Sequence, residues 1–118
     1  MKKMDLDKLK TQLRDFAEER DWQGFHAPKN LVMAMNVEVA ELMEHFQWLT
    51  EEQSENLNAK TFDEVQYEVA DVFIYLVRLA DRLGVDLDTV VAEKIKRNAA
   101  KYPADKCQGS AAKYTEYE

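Results

Sequence analysis

The chain has 118 residues, 46% of them hydrophobic, with only 3 glycines and 2 prolines. This length suits one compact domain. Turn formers are scarce and hydrophobic residues do not alternate with polar ones, and both observations argue against a sheet. The formal net charge of −7 argues against a protein that coats a nucleic acid polymer, because backbone binding needs clustered lysine and arginine. One cysteine, Cys107, cannot form an internal disulfide and fits a reducing compartment.

The sequence shows neither a signal peptide nor a membrane span. Residues 1–5 lack an apolar core, and the longest apolar run, residues 72–77, is far too short to cross a bilayer. A cytoplasmic protein that does not enter a membrane is therefore predicted.

Two helices are predicted in the first half of the chain. The first begins after Asp5, a good N-cap, and ends near Trp22, with Gly24 as the break. The second is capped by Asn30 and runs to about Trp48.

Two capping boxes follow. The first, residues 50–53, predicts a short helical turn before a flexible loop over residues 54–60. The second, residues 61–64, predicts the start of the most hydrophobic helix, which closes at Gly84, a favourable C′ residue.

The last predicted helix begins at Asp86 or Asp88. It must stop before Pro103, because the residue that precedes a proline disfavours the α region. An irregular tail is predicted over residues 104–118. The chain is thus expected to form one all-α domain, residues 1–118, built as a four-helix bundle.

Two pairs of acids suggest a site, Glu38 with Glu41 in the second helix and Glu68 with Asp71 in the third. A three-residue step puts both carboxylates of a pair on one helix face. If the pairs face each other, four negative charges meet, and a bundle tolerates this poorly without a cation between them. Carboxylate oxygens favour a hard cation, most simply Mg²⁺.

Surface charge is the competing explanation of these acids. In the third helix, Tyr75, Arg78 and Arg82 lie on the same side as the acid pair, so this side could simply face water. In the second helix the acids have apolar residues on both edges, which favours a site. A di-iron bundle is a further alternative, but it needs a Glu-x-x-His pair on each of two helices, and the chain has none, although His45 follows Glu41 by four residues.

With these motifs, the chain resembles the all-α nucleoside triphosphate pyrophosphohydrolases of the MazG-like superfamily, and is most similar to the dCTP pyrophosphatase branch. The resemblance covers nearly the whole chain. It is carried by Arg20-Asp21-Trp22, Phe25-His26-x-Pro28-x-Asn30-Leu31, Glu38-Val39-x-Glu41-Leu42, Phe46-Gln47-Trp48, Glu68-x-x-Asp71-Val72, Ile74-Tyr75-Leu76-Val77, Lys94-x-x-x-Asn98, Tyr102-Pro103 and Gly109-Ser110-Ala111-x-Lys113-Tyr114.

The resemblance implies hydrolysis of a nucleoside triphosphate between the α and β phosphates. The implied substrate is dCTP or a related pyrimidine nucleotide, modified ones included. Glu38, Glu41, Glu68 and Asp71 would hold Mg²⁺, which neutralises phosphate oxygens and lowers the pKa of a bound water. Glu38 and Glu41 are the implied catalytic residues, with Glu41 orienting or deprotonating that water.

Four aromatic residues are candidates for the base pocket: Trp22, His26, Trp48 and Tyr75. Flat rings stack on a nucleobase, and an imidazole reads its polar edge. Core packing is the alternative for each, or, for His26, a loop position bonded to backbone. Phe16 is assigned to the core.

Five further residues are implied to contact the substrate. Lys94, Asn98 and Tyr102 are spaced by four on the last helix and suit phosphate or sugar contacts, although a solvent-facing stripe is the alternative. Lys113 and Tyr114 would fold over a site, including that of a neighbouring subunit, and a disordered terminus is the competing interpretation.

Self-association is also predicted. The third helix is apolar around more than half of its circumference, which a chain this small can hardly enclose alone. The resemblance implies a homodimer or homotetramer. A non-enzymatic helical oligomer with surface acids is the alternative function.

Overall fold

The computed structural model describes residues 3–109, 111 and 115, and these contain helices and no strand. The helices are α1 Leu6–Glu19, α2 Pro28–Glu44, α3 Glu51–Ser54, α4 Ala59–Leu83, α5 Leu87–Lys101 and α6 Ala104–Cys107. The all-α prediction is confirmed. The short helical turn predicted at residues 50–53 is the four-residue α3, whereas the four-residue α6 was not predicted. Within the described part of the chain, no helix is both long and apolar enough to span a membrane.

Three helices begin where the sequence predicts. The carboxylate of Asp5 caps α1, and that of Asp86 caps α5. At α3, Thr50 and Gln53 form the predicted capping box, in which each side chain bonds to the backbone of the other residue. These starts were predictable because each depends on residues only two or three positions apart.

The other two long helices begin earlier than predicted. The side chain of Asn58 accepts the backbone N–H of Thr61, so Thr61 lies inside α4 and is not its cap. Likewise α2 begins at Pro28, with Ala27 at the N-cap position, and Asn30 lies inside the helix. Proline suits the first helical position because the missing N–H has no partner there in any helix. The predicted loop over residues 54–60 is reduced to residues 55–58.

The end of α1 also differs from the prediction. Asp21 adopts a left-handed backbone conformation with φ 53°. The N–H of Trp22 bonds to the carbonyl of Ala17 at 2.8 Å, and that of Asp21 bonds to Glu18 at 3.1 Å. This is a Schellman motif with aspartate where glycine is usual, and aspartate tolerates this conformation better than most residues. It stops α1 before Gly24.

Of the other long helices, two end as predicted and one ends earlier. Gly84 closes α4 in a left-handed conformation, and α5 stops before Pro103, both as predicted. The second helix stops at Glu44, short of the predicted end, and turns follow over residues 45–48. The predicted irregular tail contains α6.

The chain divides into two compact units, Met1–Gly84 and Val85–Glu118. In the first, α4 packs mainly against α2 and also against α1. Among the residues of this unit that the structure describes, the buried apolar ones are Ala17, Leu31, Val65, Val77 and Ala80. The four-helix bundle and the single domain over residues 1–118 stay predictions.

Candidate active site

The two acid pairs lie on α2 and α4, the helices that pack most closely in the first unit. The pKa of the Glu38 carboxyl is raised above its ordinary value, chiefly because burial penalises its charged form. The negative charges of Glu41, Asp71 and Glu68 raise it further, as does a hydrogen bond between Glu38 and Glu41. The four predicted metal ligands therefore share one electrostatic neighbourhood.

Glu68 lies against a histidine from the neighbouring helix end. Nε2 of His45 is 2.8 Å from Oε2 of Glu68, and Nδ1 is 4.0 Å from Oε2 of Glu64. The Glu68 Oε2 atom is nevertheless buried without an aligned hydrogen bond from any described residue. A buried carboxylate oxygen in this state is costly, and it suits a cation.

The acids do not form a ready-made ligand cage. Across residues 3–109, 111 and 115, no three His, Cys, Asp or Glu side chains are arranged to hold a metal ion. The set still fits a hard divalent cation in two respects. Negative charge is concentrated around Glu38, and Oε2 of Glu68 is buried without an aligned hydrogen bond. The predicted ligand set stays a prediction, and it requires side-chain rotation towards one ion.

A cavity of about 360 Å³ opens within the first unit. This volume lies at the lower end of the roughly 300–1,000 Å³ typical of small-molecule sites. The cavity brings Trp22, His26 and Tyr75, three of the predicted base-contact residues, together with Asp71 of the acid set. Its lining residues are Leu13, Phe16, Trp22, His26, Asp71, Ile74, Tyr75 and Arg78.

Aromatic contacts fix the rings on one side of this cavity. Trp22 packs edge-on against Phe16, with 5.7 Å between ring centroids, and its centroid is 6.2 Å from that of His26. The guanidinium of Arg20 lies 3.6 Å from the Phe16 ring centroid, a cation–π contact. Phe16 is thus about half exposed at the cavity, and its assignment to the core was wrong.

Trp48 lies apart from this cavity. Its side chain is 85% exposed, and it is absent from the cavity lining. The reason is local, because α2 ends at Glu44 and Trp48 follows in the turn. The structure does not bring this candidate to the other base-contact residues.

Arg78 is a cavity residue that the sequence did not assign to the site. It is only 4% exposed, and its Nε is 3.4 Å from Nδ1 of His26. Its Nη1 lies 3.3 Å from Oδ2 of Asp81. Asp81 in turn accepts two hydrogen bonds of 2.7 Å from Arg14.

Helical spacing gave a partial signal for Arg78. Asp71, Tyr75 and Arg78 are separated by four and three residues, so they share a face of α4. All three line the cavity. This side of α4 is therefore not simply its water-facing side.

The other predicted contact residues belong to the second unit or lie outside the described residues. Lys94, Asn98 and Tyr102 are exposed at the surface of α5 or at its end. The structure describes neither Lys113 nor Tyr114. The roles of these five residues stay predictions.

Comparison with known proteins places the chain in a family. The model of the MazG-like family matches residues 33–117. The chain is 43% identical over 113 residues to dCTP pyrophosphatase 1 of Mus musculus, covering 94% of this chain and 66% of the mouse protein. The Homo sapiens protein of the same name is 42% identical over 113 residues, with the same two coverages, 94% and 66%.

A solved structure also resembles this chain. The crystal structure of a pyrophosphatase from Archaeoglobus fulgidus is similar, with a TM-score of 0.79 and 36% identity, covering 87% of this chain and 96% of that chain. The chain spans about two thirds of the length of the mammalian relatives. The family match covers well over half of the described fold, and the chain therefore belongs to the MazG-like family.

Proposed function

We propose that this protein is a nucleoside triphosphate pyrophosphohydrolase, which releases a nucleoside monophosphate and pyrophosphate. The observation that carries the proposal is the double position of Asp71. It lines the aromatic cavity, and its charge also acts on Glu38 within the acid set. A nucleotide has the same two parts, a flat base and a polyanion, and would be held at this junction.

The proposed substrate is dCTP or a related pyrimidine nucleotide, including modified ones. Its support is the similarity to mammalian proteins named dCTP pyrophosphatase 1. A cavity of about 360 Å³ also favours a small base. Trp22 and Tyr75 supply the flat surfaces for stacking, and the apolar side chains of Leu13 and Ile74 keep water from the base.

The acid set would hold a divalent cation, proposed to be Mg²⁺, on Glu38, Glu41, Glu68 and Asp71. When bound, such an ion neutralises phosphate oxygens and makes a bound water more acidic. The role proposed for Glu41 is to orient the attacking water and accept its proton on a carboxylate oxygen. Glu38 lies in the same acid set, and its carboxylate interacts with the charge of Glu41.

The first experiment supplies the purified chain with Mg²⁺ and a panel of deoxy- and ribonucleoside triphosphates. Pyrophosphate, inorganic phosphate and nucleoside monophosphate are each quantified. We expect equal amounts of pyrophosphate and monophosphate, with the fastest turnover for a cytosine nucleotide. Release of inorganic phosphate alone would contradict the proposed bond cleavage. Removing divalent ions with a chelator should abolish turnover, and Mg²⁺ should restore it.

Two variants test the acid set. Glu41→Gln and Asp71→Asn remove charge with little change of shape, and each should lower kcat by roughly 10²-fold or more. The matched control is Asp63→Asn, an exposed acid on α4 whose carboxylate bonds locally to Gln66. Circular dichroism should show the same helicity in all three variants. Full activity of Glu41→Gln and Asp71→Asn would refute the proposed site.

A further inference from the structure

Arg78 is the only buried charged residue in the described part of the first unit. It has two defined partners in the folded chain, the imidazole of His26 and the carboxylate of Asp81. Asp81 is itself held by Arg14 through two short hydrogen bonds. A chain of polar contacts therefore runs from the surface at Arg14 to a histidine that lines the cavity.

The contact between Arg78 and His26 fixes the protonation of the ring. A guanidinium can donate hydrogen bonds but cannot accept them. Nδ1 of His26, at 3.4 Å from Nε of Arg78, must therefore be the acceptor and carry no proton. A neutral imidazole has one proton, which must then lie on Nε2.

The surroundings of His26 also favour its neutral form. Burial lowers the pKa of His26 below its ordinary value, and the positive charges of Arg78 and Arg82 lower it further. A protonated ring would set an N–H donor against the N–H of Arg78. Asp81 cannot easily compensate, because its carboxylate is already engaged by Arg14 and Arg78.

We propose that Arg78 is a positioning residue that holds His26 as the neutral Nε2–H tautomer. His26 then offers its ligand a hydrogen-bond donor, and not an acceptor. This inference deepens the proposed function and rests on it in one respect, that the ligand in the cavity is a nucleotide. The donor selects a nucleotide atom with a free lone pair, such as a carbonyl oxygen or an unprotonated ring nitrogen, and disfavours an N–H at the same place.

The first test is spectroscopic and needs no ligand. The chain has 2 histidines, so a His45→Gln variant assigns the ring nitrogen signals of His26. At neutral pH we expect a ¹⁵N shift typical of an unprotonated Nδ1 and a protonated Nε2. A protonated Nδ1, or rapid averaging between the two tautomers, would overturn the proposal.

The second test compares two arginines near the same ring. Arg78→Met removes the hydrogen bond to His26 but leaves Asp81 paired with Arg14. Arg82→Met is the matched control, since Arg82 is exposed and contributes charge near His26 without a hydrogen bond to it. We expect Arg78→Met to mix the tautomers and to raise KM about tenfold with a smaller change in kcat, the size of one lost hydrogen bond. Arg82→Met should preserve the tautomer and KM.

A conservative variant separates positioning from folding. Arg78→Lys keeps a cationic donor, so it should retain more of the Nε2–H tautomer and a lower KM than Arg78→Met. Two results would overturn the proposal. One is a wild-type tautomer in Arg78→Met, and the other is the same change of tautomer and KM in Arg78→Met and in Arg82→Met. If Arg78→Met fails to fold, the His26 ring signals of the wild type and of Arg78→Lys still test the proposal. A chain that hydrolyses no nucleotide would refute the proposed function. The His26 ring signals of the wild type and the Arg78 variants would still test the role of Arg78.

Discussion

At the scale of single residues, Asp81 holds two cations of different exposure. Its carboxylate bonds twice to the exposed Arg14 and lies 3.3 Å from the buried Arg78. The pKa of Asp81 is lowered below its ordinary value, mainly by the hydrogen bonds from Arg14, with the charge of Arg78 as a smaller cause. The ionised form of Asp81 is therefore stabilised by folding.

Replacing Asp81 with asparagine should destabilise the chain. Asp81→Asn leaves Arg78 buried without its counter-charge, and losing one partner of a buried ion pair costs about 3 kcal/mol or more. We expect the free energy of unfolding in urea to fall by about 3 kcal/mol at neutral pH. Arg14→Gln should lower the free energy of unfolding much less. Arg14 is exposed, and without it Asp81 is still paired with the buried Arg78.

The same substitution has a defined pH dependence. Folding lowers the pKa of the Asp81 carboxyl below its ordinary value. Its contribution to stability is therefore present above the unfolded pKa and is lost as pH falls through the folded pKa. The stability difference between wild type and Asp81→Asn should therefore be constant near neutrality and shrink below about pH 4. A difference that grows on acidification would contradict this assignment.

At the scale of helices, the start of α4 distinguishes two caps. The sequence predicts a capping box at Thr61. In the structure Asn58 is the N-cap, and its side-chain oxygen accepts a 2.8 Å hydrogen bond from the Thr61 N–H. We expect Asn58→Ala to lower the free energy of unfolding by about 1 kcal/mol, the usual worth of a side-chain N-cap. Thermal or urea unfolding measures the difference.

Thr61→Ala is the matched comparison at this helix start. Thr61 lies inside the helix, where alanine is the better helix former, so its replacement should cost much less than that of Asn58. A larger loss of stability from Thr61→Ala than from Asn58→Ala would show that α4 starts at the later cap.

The end of α1 positions two residues of the cavity, Trp22 and His26. The Schellman motif at Asp21 turns the chain so that Trp22 and His26 lie in one compact turn, closed by a 3.0 Å bond from the His26 N–H to the Trp22 carbonyl. The backbone of this turn and the rings that it carries are thus set together. The local geometry of the cavity wall depends on where α1 stops.

At the scale of the whole molecule, α4 carries an apolar stripe that the single chain leaves exposed. Its residues follow a seven-residue spacing and are Phe62, Val69, Leu76 and Leu83. Each of these side chains is more than two fifths exposed. An apolar stripe of this regularity is typical of helix association.

We expect the chain to form the predicted homodimer or homotetramer through this stripe. Val69→Glu places a charge at its middle and should weaken association at least ~100-fold, because a buried unpaired charge is costly. Tyr67→Glu is the control, since Tyr67 is also exposed on α4 but lies on a different face. Light scattering coupled to gel filtration measures the mass of each. A monomeric wild-type chain at micromolar concentration would contradict the prediction.

The same stripe fits the alternative of a non-enzymatic helical oligomer, and turnover separates the two hypotheses. An oligomer without activity would show neither nucleotide hydrolysis nor a Mg²⁺-dependent rise in melting temperature with nucleotide. A real site should raise the melting temperature once the ligand exceeds its dissociation constant.

The sequence by itself determined the features that depend on neighbours along the chain. The caps at Asp5, Thr50 and Asp86 and the left-handed end at Gly84 follow from residues a few positions apart, and all were predicted. The family was also predictable, because its motifs are linear patterns of residue types. Asn58 and Pro28 were missed because an equally good local signal stood within a few residues of each.

Tertiary structure decided which faces and partners those residues acquire. Spacing left one side of α4 open to two interpretations, solvated charge or site, and packing against α2 and the turn after α1 brought Asp71, Tyr75 and Arg78 to a cavity. The bond from Arg78 to His26 joins residues 52 positions apart, and no periodic pattern encodes such a pair. Local rules fix a helix and its ends, whereas the pKa of a side chain and its partners depend on charges that only folding brings near.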